Sequence, residues 1–267
     1  MITLITELDA ELKEEIVRFC EKSCLGMKAV GPMLSYGTQY DFVLNYVRRD
    51  EQGFINAFIS RYYGSVTVAA AEASMSASDI EELAGFLSVT GYSALTAPPA
   101  IMEALGIEDA ETGFVMTYDK GADCVANTFD GNATILANDG YREFFDAICR
   151  NNPGYIPSGY EDWLVDISHR VRHNTAEIFG LYKDERDECI STVAALVFVN
   201  RTVFMGAVST DSRFRGQHLA STIIKYLCDR YSDSTVYLMC KPEKKAFYEK
   251  LGMHAAGEYS EYCSSQK

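Results

Sequence analysis

Residues 203–221 read VFMGAVSTDSRFRGQHLAS, and this stretch decides the fold prediction for the second half of the chain. An apolar β-type run passes into a turn that holds Arg213, Arg215 and Gly216, and an apolar helix-type run follows. A basic turn that opens a helix directs backbone N–H groups and the positive end of the helix dipole towards one point. The stretch therefore predicts a corner that holds a phosphate or a diphosphate.

The segments around this corner alternate between strand and helix patterns. They predict an α+β domain whose corner follows the third strand. The predicted elements are strands at 174–182, 189–199 and 202–210, a helix at 216–231, a strand at 235–240, a helix at 242–251 and a final strand.

An internal repeat predicts that the chain holds two such domains. AIMEALGI at residues 100–107 and AFYEKLGM at 246–253 share four identities at a constant offset of 146. Each segment predicts a short helix that a glycine ends, and each follows an apolar segment and a prolyl turn. Two copies of one unit explain this pattern, although two unrelated domains with similar last helices remain the alternative. The polar segment between the copies places the boundary between residues 125 and 126.

The corner resembles that of the GNAT superfamily of acyl-CoA-dependent N-acyltransferases. The family loop reads R/Q-x-x-G-x-G/A, and Arg215 and Ala220 match its first and last positions. His218 stands where the family has its central glycine, and we expect this position to be helical and not to need glycine's φ range. The resemblance implies two GNAT-like domains, each with a mixed, mostly antiparallel twisted sheet flanked by helices: a degenerate copy at 1–125 and a catalytic copy at 126–267.

The resemblance also implies acetyl-CoA as the co-substrate. The residues that it places at the cofactor are Val208, Ser209, Thr210, Arg213, Arg215, Gly216, Gln217, His218, Leu219, Ala220 and Ser221. The first three would lie along the pantetheine arm, on a strand that splays from its neighbour. Tyr248 matches the tyrosine that commonly lies beside the thioester sulfur.

The implied reaction is acetyl transfer to a primary amine of a small molecule or peptide by direct attack. Tyr248 would protonate the leaving thiolate, and a backbone N–H near Val208 or Ser209 would meet the oxyanion. The strand at 202–210 contains no carboxylate, so Glu177 on an earlier strand, or water, would accept the proton from the amine.

The first copy lacks these features. AEASMSASDIEE at residues 71–82 stands in place of the arginine turn, and its Glu72 and Asp79 would repel a diphosphate. Met102 occupies the position of Tyr248. We therefore expect a single CoA site, at Arg215 to Ser221, and none beside Ser74 to Asp79.

The acceptor is less well specified by the sequence. Residues 152–167, NPGYIPSGYEDWLVDI, lie where the family lines its acceptor site, and their aromatic and acidic side chains would suit an amine. The alternative is that Trp163 simply anchors a helix to the core. The side chains concerned are those of Tyr155, Tyr160, Glu161, Asp162 and Trp163.

Composition narrows the partners. The chain has 24 basic and 38 acidic residues and a formal net charge of −14, which disfavours nucleic acids and anionic membranes. The eight cysteines form no CxxC pair and favour a reduced, cytoplasmic protein. Cys20/Cys24 and His169/His173 have metal-compatible spacing but lack a third ligand, so no metal is expected.

Two alternatives to an N-acetyltransferase stay open. One is a catalytically silent CoA-binding regulator or scaffold. The other is an aminoacyl transferase that uses charged tRNA, which the negative charge disfavours. The oligomeric state is not predicted.

Overall fold

The structure is a computed structural model that describes residues 1–71, 75–119, 121, 128–129, 131–152, 159–183 and 188–264. The helices in this part of the chain are α1 (Ala10–Cys20), α2 (Cys24–Tyr36), α3 (Ala77–Thr90), α4 (Pro99–Ala104), α5 (Tyr141–Asn151), α6 (Tyr160–Arg172), α7 (Leu219–Arg230) and α8 (Lys245–Glu249). The strands are β1 (Ile2–Leu4), β2 (Val43–Arg49), β3 (Ile55–Tyr62), β4 (Ser65–Ala70), β5 (Ala94–Ala97), β6 (Glu111–Tyr118), β7 (Ala133–Ala137), β8 (Glu177–Lys183), β9 (Glu188–Val199), β10 (Thr202–Thr210), β11 (Thr235–Cys240) and β12 (His254–Cys263).

The order of these elements is the same in both halves of the chain. The first half runs β1-α1-α2-β2-β3-β4-α3-β5-α4-β6, and the second runs β7-α5-α6-β8-β9-β10-α7-β11-α8-β12. The two helices that carry the repeated sequence, α4 and α8, occupy the same place in this order. The predicted fold class, two α+β copies with mixed, mostly antiparallel sheets, is confirmed.

The first compact unit comprises residues 1–115, 239–243 and 255–267. Its strands lie in the order β1-β2-β3-β4-β5-β12, and the β4–β5 pair is parallel while the other pairs are antiparallel. The last strand of the chain thus completes the sheet of the first unit, with Ser260 opposite Ala97. The side chains at the centre of its core are those of Ile59, Val66, Val68, Leu83 and Leu95.

The second compact unit comprises residues 116–238 and 244–254. Its strands include the order β11-β10-β9-β8-β7, in which β10 and β11 are parallel and the other pairs are antiparallel. The core between α5, α6 and the sheet is built from Phe144, Ile148, Ile167, Ile178 and Ala194.

The sheet hairpins in the two halves turn tightly at equivalent places. Tyr63, between β3 and β4, has a φ of 51°, and Asn200, between β9 and β10, has a φ of 52°. A positive φ at the first residue of such a turn reverses the chain within two residues, and asparagine adopts it more readily than most residues.

Two predicted boundaries differ from the structure. The helix predicted at 216–231 begins at Leu219, because Gly216 and His218 have φ values of 80° and 62°, which are incompatible with a right-handed helix. The helix predicted at 242–251 is a 3-10 turn at Pro242–Lys244 followed by α8.

The predicted domain boundary between residues 125 and 126 lies outside the described residues and stays a prediction. None of the helices in the described part of the chain is both long enough and apolar enough to span a membrane.

Candidate active site

The strand that leads to the arginine turn separates from one of its neighbours. β10 pairs with β11 only from Thr202 to Phe204, whereas its pairing with β9 continues to Thr210. The strands therefore diverge after Phe204. The edge of β10 beyond this point has no strand partner on the β11 side within the described residues, which leaves it open to an extended ligand.

A bulge lies in the diverging part of β10. The register shifts between Gly206 and Ser209, and Ala207 takes a φ of 52°. The Thr192 hydroxyl fixes the bulge by donating a hydrogen bond to the Ala207 carbonyl over 2.7 Å. A Cβ at Gly206 would lie 2.4 Å from the end of the Leu196 side chain, so a larger residue there would need that side chain to shift. A bulge re-aims the groups of the open edge.

The arginine turn ends at an open helix N-terminus. A 3-10 turn at Ser212–Phe214 is followed by four exposed residues, 215–218, and then by α7. The Thr222 N–H donates to the His218 carbonyl over 2.9 Å, so the amides of residues 219–221 precede the first helical hydrogen bond. The His218 side chain does not cap them. Several N–H donors and the positive end of the helix dipole thus lie directly after the exposed residues 215–218.

The expectation for His218 is wrong. The residue is not helical; its φ of 62° and ψ of 17° lie in the left-handed region that favours glycine. For an L-residue this conformation costs about 1 kcal/mol, although histidine tolerates it better than most side chains.

The two arginines of the turn are used differently. Arg213 binds the carboxylates of Asp211 and Glu188, so its charge is engaged within the protein. The Arg215 Nε donates to the Thr210 carbonyl over 3.4 Å, and no ion pair among the described residues involves Arg215. Of the two guanidinium groups, Arg215 is therefore the one available to an anion.

Tyr248 lies on α8, which follows β11, the strand that borders the opening. Its side chain is well covered, with 7% exposure, and its ring packs edge to face on Phe247 at a centroid distance of 5.1 Å. The chain order brings Tyr248 into the same unit as the arginine turn. Its role as a general acid stays a prediction.

Glu177 lies at the far end of α7. Its carboxylate accepts hydrogen bonds from Arg230 at 2.7 and 2.5 Å and from the Tyr231 hydroxyl at 2.7 Å. Burial raises the pKa of Glu177, but these hydrogen bonds and the Arg230 charge outweigh it and lower the pKa overall. Arg230 and Leu219 are eleven positions apart along α7, which is about 16 Å. Glu177 fastens the C-terminal end of α7 to β8, and its use as a base stays a prediction.

The aromatic residues ahead of β8 pack together. Trp163 on α6 stacks on Phe144 of α5 at 5.9 Å and contacts Phe145 at 5.2 Å. It also meets Tyr160, over whose ring Arg142 lies at 4.2 Å. These contacts support the reading in which Trp163 anchors α6. Glu161 and Asp162 lie in the first turn of α6, and Tyr155 lies outside the described residues.

The equivalent corner of the first half is closed by its own side chains. The Ser76 hydroxyl accepts the Asp79 N–H over 3.3 Å, and the Asp79 carboxylate accepts the Ser76 N–H over 2.8 Å, which caps α3. Arg48 from β2 binds both Asp79 and Glu82. Glu72 and Ser74 lie outside the described residues. Met102, the counterpart of Tyr248, is buried in the core with 2% exposure.

Sequence reasoning missed the charged partners Arg48, Arg150, Glu188 and Asp211. Only Asp211 carried a local signal, since an aspartate two residues before an arginine at a turn often caps it.

The described residues contain no group of three or more potential metal ligands. His169 and His173 stack at 4.0 Å, and the Nδ1 atom of His173 lies 2.8 Å from the His169 carbonyl oxygen. Cys20 and Cys24 are buried free thiols whose pKa values burial raises. The predicted absence of a metal site remains a prediction for the whole chain, since Cys124 lies outside the described residues.

The comparisons with known proteins agree with this geometry. Residues 141–253 match the model of the acetyltransferase (GNAT) family. This match covers 113 of the 267 residues, all of them in the second half of the chain. A search of curated proteins found no match.

Solved structures extend the fold to the whole chain. A GCN5-related N-acetyltransferase from Sphaerobacter thermophilus has 13% identity and a TM-score of 0.63, over 97% of this chain and 94% of its own. A tandem GNAT protein from the clavulanic acid biosynthesis pathway has 11% identity and a TM-score of 0.60, and the match covers both chains fully. A Drosophila protein has 12% identity and a TM-score of 0.66, over 99% of each chain. At these identities the likeness shows the fold alone.

Proposed function

We propose that the protein is an N-acetyltransferase that moves an acetyl group from acetyl-CoA to a primary amine of a small molecule or peptide. The observation that carries the proposal is the N-terminus of α7, where the amides of residues 219–221 precede the first helical hydrogen bond and where Arg215 makes no ion pair among the described residues. This is the donor set that a diphosphate needs. The buried cysteines support a reducing, cytoplasmic compartment.

The open edge of β10 supports the next step of the proposal. Backbone groups of Val208, Ser209 and Thr210 bind the pantetheine arm as a neighbouring strand would. A backbone N–H at Val208 or Ser209 then stabilises the oxyanion that forms on the thioester carbonyl. In-line placement of the amine supplies most of the rate enhancement, because binding removes the entropy cost of bringing the reactants together.

Proton transfers complete the proposed reaction. Tyr248 donates its proton to the sulfur of the departing CoA thiolate. We assign the uptake of the amine proton to water, because hydrogen bonds hold the Glu177 carboxylate at the opposite end of α7.

Titration with CoA, followed calorimetrically, tests the binding part of the proposal. We expect one site per chain with a micromolar dissociation constant, since only the second corner has open amides. Two sites per chain would contradict the degeneracy of the first half, and absence of binding would remove the proposed function.

Turnover is tested separately. A free-thiol assay with acetyl-CoA and a panel of amines, polyamines and peptides should show CoA release that depends on one acceptor class.

The second candidate, a silent CoA-binding regulator or scaffold, is favoured by the engagement of Glu177 and by His218 in a glycine position. CoA binding without turnover on any acceptor would favour that candidate.

A further inference from the structure

A buried carboxylate lies where β10 ends and the arginine turn begins. Asp211 is 1% exposed, and its N–H donates to the Ile190 carbonyl on β9 over 2.9 Å. Its carboxylate accepts the backbone N–H of Arg213 at 2.9 Å and the guanidinium of Arg213 at 3.1 and 2.8 Å. The Arg150 guanidinium on α5 lies 3.2 Å from the same carboxylate. One residue therefore joins β9 through its backbone and the turn and α5 through its side chain.

A second carboxylate completes this network. Glu188 at the start of β9 binds Arg213, and it lies 3.4 Å from Arg150. Two carboxylates thus face two guanidinium groups, and their formal charges cancel. Hydrogen bonds from Arg213, which outweigh burial, hold the pKa of Asp211 at about 2, so its carboxylate is charged at any physiological pH.

The network holds the 3-10 turn, which is the first part of the short connection between β10 and α7. Arg215 follows the 3-10 turn directly, and three further residues lead to the first residue of α7. A shift of the turn therefore displaces Arg215 and the amides at the N-terminus of α7 together. A displacement of 1 Å is enough to degrade a site that depends on several converging hydrogen bonds.

We infer that Asp211 is a positioning residue for the diphosphate of the acyl-CoA, which sets CoA affinity by fixing the arginine turn without contacting the ligand. This inference rests on the proposed function. It gives Arg213 the role of fastening the turn, so that Arg215 alone of the two arginines contacts the anion.

If the charge of Asp211 acts only through space, or if Asp211 instead supports the turn, the same substitution changes CoA affinity in opposite directions. Removing a negative charge beside a diphosphate site strengthens anion binding if the charge acts only through space. Loosening the turn weakens anion binding, because the donors no longer converge. Asp211→Asn separates the two effects, since asparagine keeps the size of the side chain and loses its charge.

The experiment measures the dissociation constants of CoA and of pantetheine, which lacks the diphosphate, for the full chain at low temperature. We expect Asp211→Asn to weaken CoA binding about tenfold, comparable to the loss of a capping contact, and to leave pantetheine binding unchanged. Asp229→Asn is the matched control, because Asp229 is an exposed aspartate at the C-terminal end of α7 paired with Lys225. It should leave both constants unchanged.

Glu188→Gln is the second variant, because Glu188 is exposed enough to be replaced without loss of folding. It also removes one negative charge, and we expect CoA binding to weaken about threefold, since Asp211 still holds the turn. Tighter CoA binding in either variant, unchanged binding, or an equal loss for CoA and pantetheine would overturn the inference. Failure of the unmodified protein to bind CoA would instead refute the proposed function.

Discussion

The N-terminus of α3 and the N-terminus of α7 occupy the same place in the two halves of the chain, yet they treat their backbone amides in opposite ways. Ser76 and Asp79 satisfy the first turn of α3 with their own side chains. At α7 a left-handed residue without a side-chain cap precedes the helix and leaves the first amides open. A helix dipole alone does not make an anion site; unsatisfied donors make it.

The ion pairs beside the N-termini of α3 and α7 also differ. In the first half, Arg48 lies against Asp79 and Glu82, so its guanidinium is committed to carboxylates of α3. Burial raises the pKa of Asp79, but hydrogen bonds from Ser76 and the charge and hydrogen bond of Arg48 lower it overall, and the carboxylate stays ionised. In the second half, the carboxylates of Asp211 and Glu188 engage Arg213, and Arg215 makes no ion pair among the described residues. The corner of the second half therefore has an arginine, Arg215, without an ion pair, whereas Arg48 in the first half is paired.

The largest expected effect concerns Tyr248, whose counterpart is the buried Met102. Tyr248→Phe should lower kcat by about 10² to 10⁴, the range for a positioned general acid, and leave CoA affinity nearly unchanged. Steady-state kinetics on the acceptor found in the amine panel measure kcat, and calorimetry measures affinity. Tyr237→Phe, on β11, is the control and should keep kcat. An unaltered kcat in Tyr248→Phe would make Tyr248 a packing residue.

The second largest effect is expected from reversing the charge of Arg215, which precedes the N-terminus of α7. Arg215→Glu should weaken CoA binding by about 100-fold or more, because a carboxylate then faces the diphosphate. Arg201→Glu makes the same change of charge at an exposed residue in the turn before β10 and serves as the control. Equal losses in the two variants would mean that net charge alone governs binding.

Opening the closed corner should cost stability. Arg48→Met should lower the free energy of unfolding by about 2–3 kcal/mol, since it leaves Asp79 and Glu82 charged without their partner. Denaturant unfolding measures the loss, and Arg49→Met, which breaks the more exposed pair with Glu15, should cost less than about 1 kcal/mol. A loss of similar size in both variants would show that Arg48 does not close the corner.

Glu177, which anchors the C-terminal end of α7, is expected to have a smaller effect on the free energy of unfolding, and that effect depends on pH. Glu177→Gln should lower the free energy of unfolding by about 1–2 kcal/mol at pH 7 and change kcat less than about threefold. Because the pKa of Glu177 is depressed in the folded protein, its contribution is present above the unfolded pKa of about 4.3 and is lost as the pH falls through the folded value.

Unfolding at pH 7 and at pH 3 measures that contribution, and the difference from the unmodified protein should shrink at the lower pH. A fall in kcat of about 100-fold in Glu177→Gln would return Glu177 to the role of general base.

The smallest expected effect is on the strained cap of the open corner. His218→Gly should raise the free energy of unfolding by up to about 1 kcal/mol, because glycine adopts a φ of 62° without strain, although its greater freedom in the unfolded chain offsets part of the gain. CoA affinity should be kept or improved. Weaker CoA binding would show that the imidazole itself contacts the ligand.

The sequence predicted the parts of the molecule that depend on local pattern. The alternation of strand and helix periods, the repeated helix-glycine endings and the basic turn each reflect interactions within a few residues. They led to the right fold class, while the diphosphate corner at Arg215 stays a prediction. The same reasoning misplaced the start of α7 by three residues, because a left-handed histidine has no pattern that sets it apart from a helical one.

The missed features depend on residues that are far apart in the sequence. Arg48 is 31 positions from Asp79, Glu177 is 53 positions from Arg230, and Arg150 is 61 positions from Asp211. No spacing rule links such pairs, and only the folded chain shows which arginine is neutralised. This is why Arg213 and Arg215 looked equivalent in the sequence, although Arg213 pairs with two carboxylates and Arg215 makes no ion pair among the described residues.

The place of β12 in the first unit has a consequence for how the protein is made. β12 pairs with β5, and Ser260 lies opposite Ala97, so 163 residues of synthesis separate the two partners. At about 5–20 residues per second, β5 keeps an unpaired edge for about 10–30 s while the ribosome completes the second half. During that interval the edge can pair with another chain. The sheet of the first half therefore gains its last strand only after nearly all of the second half has been translated.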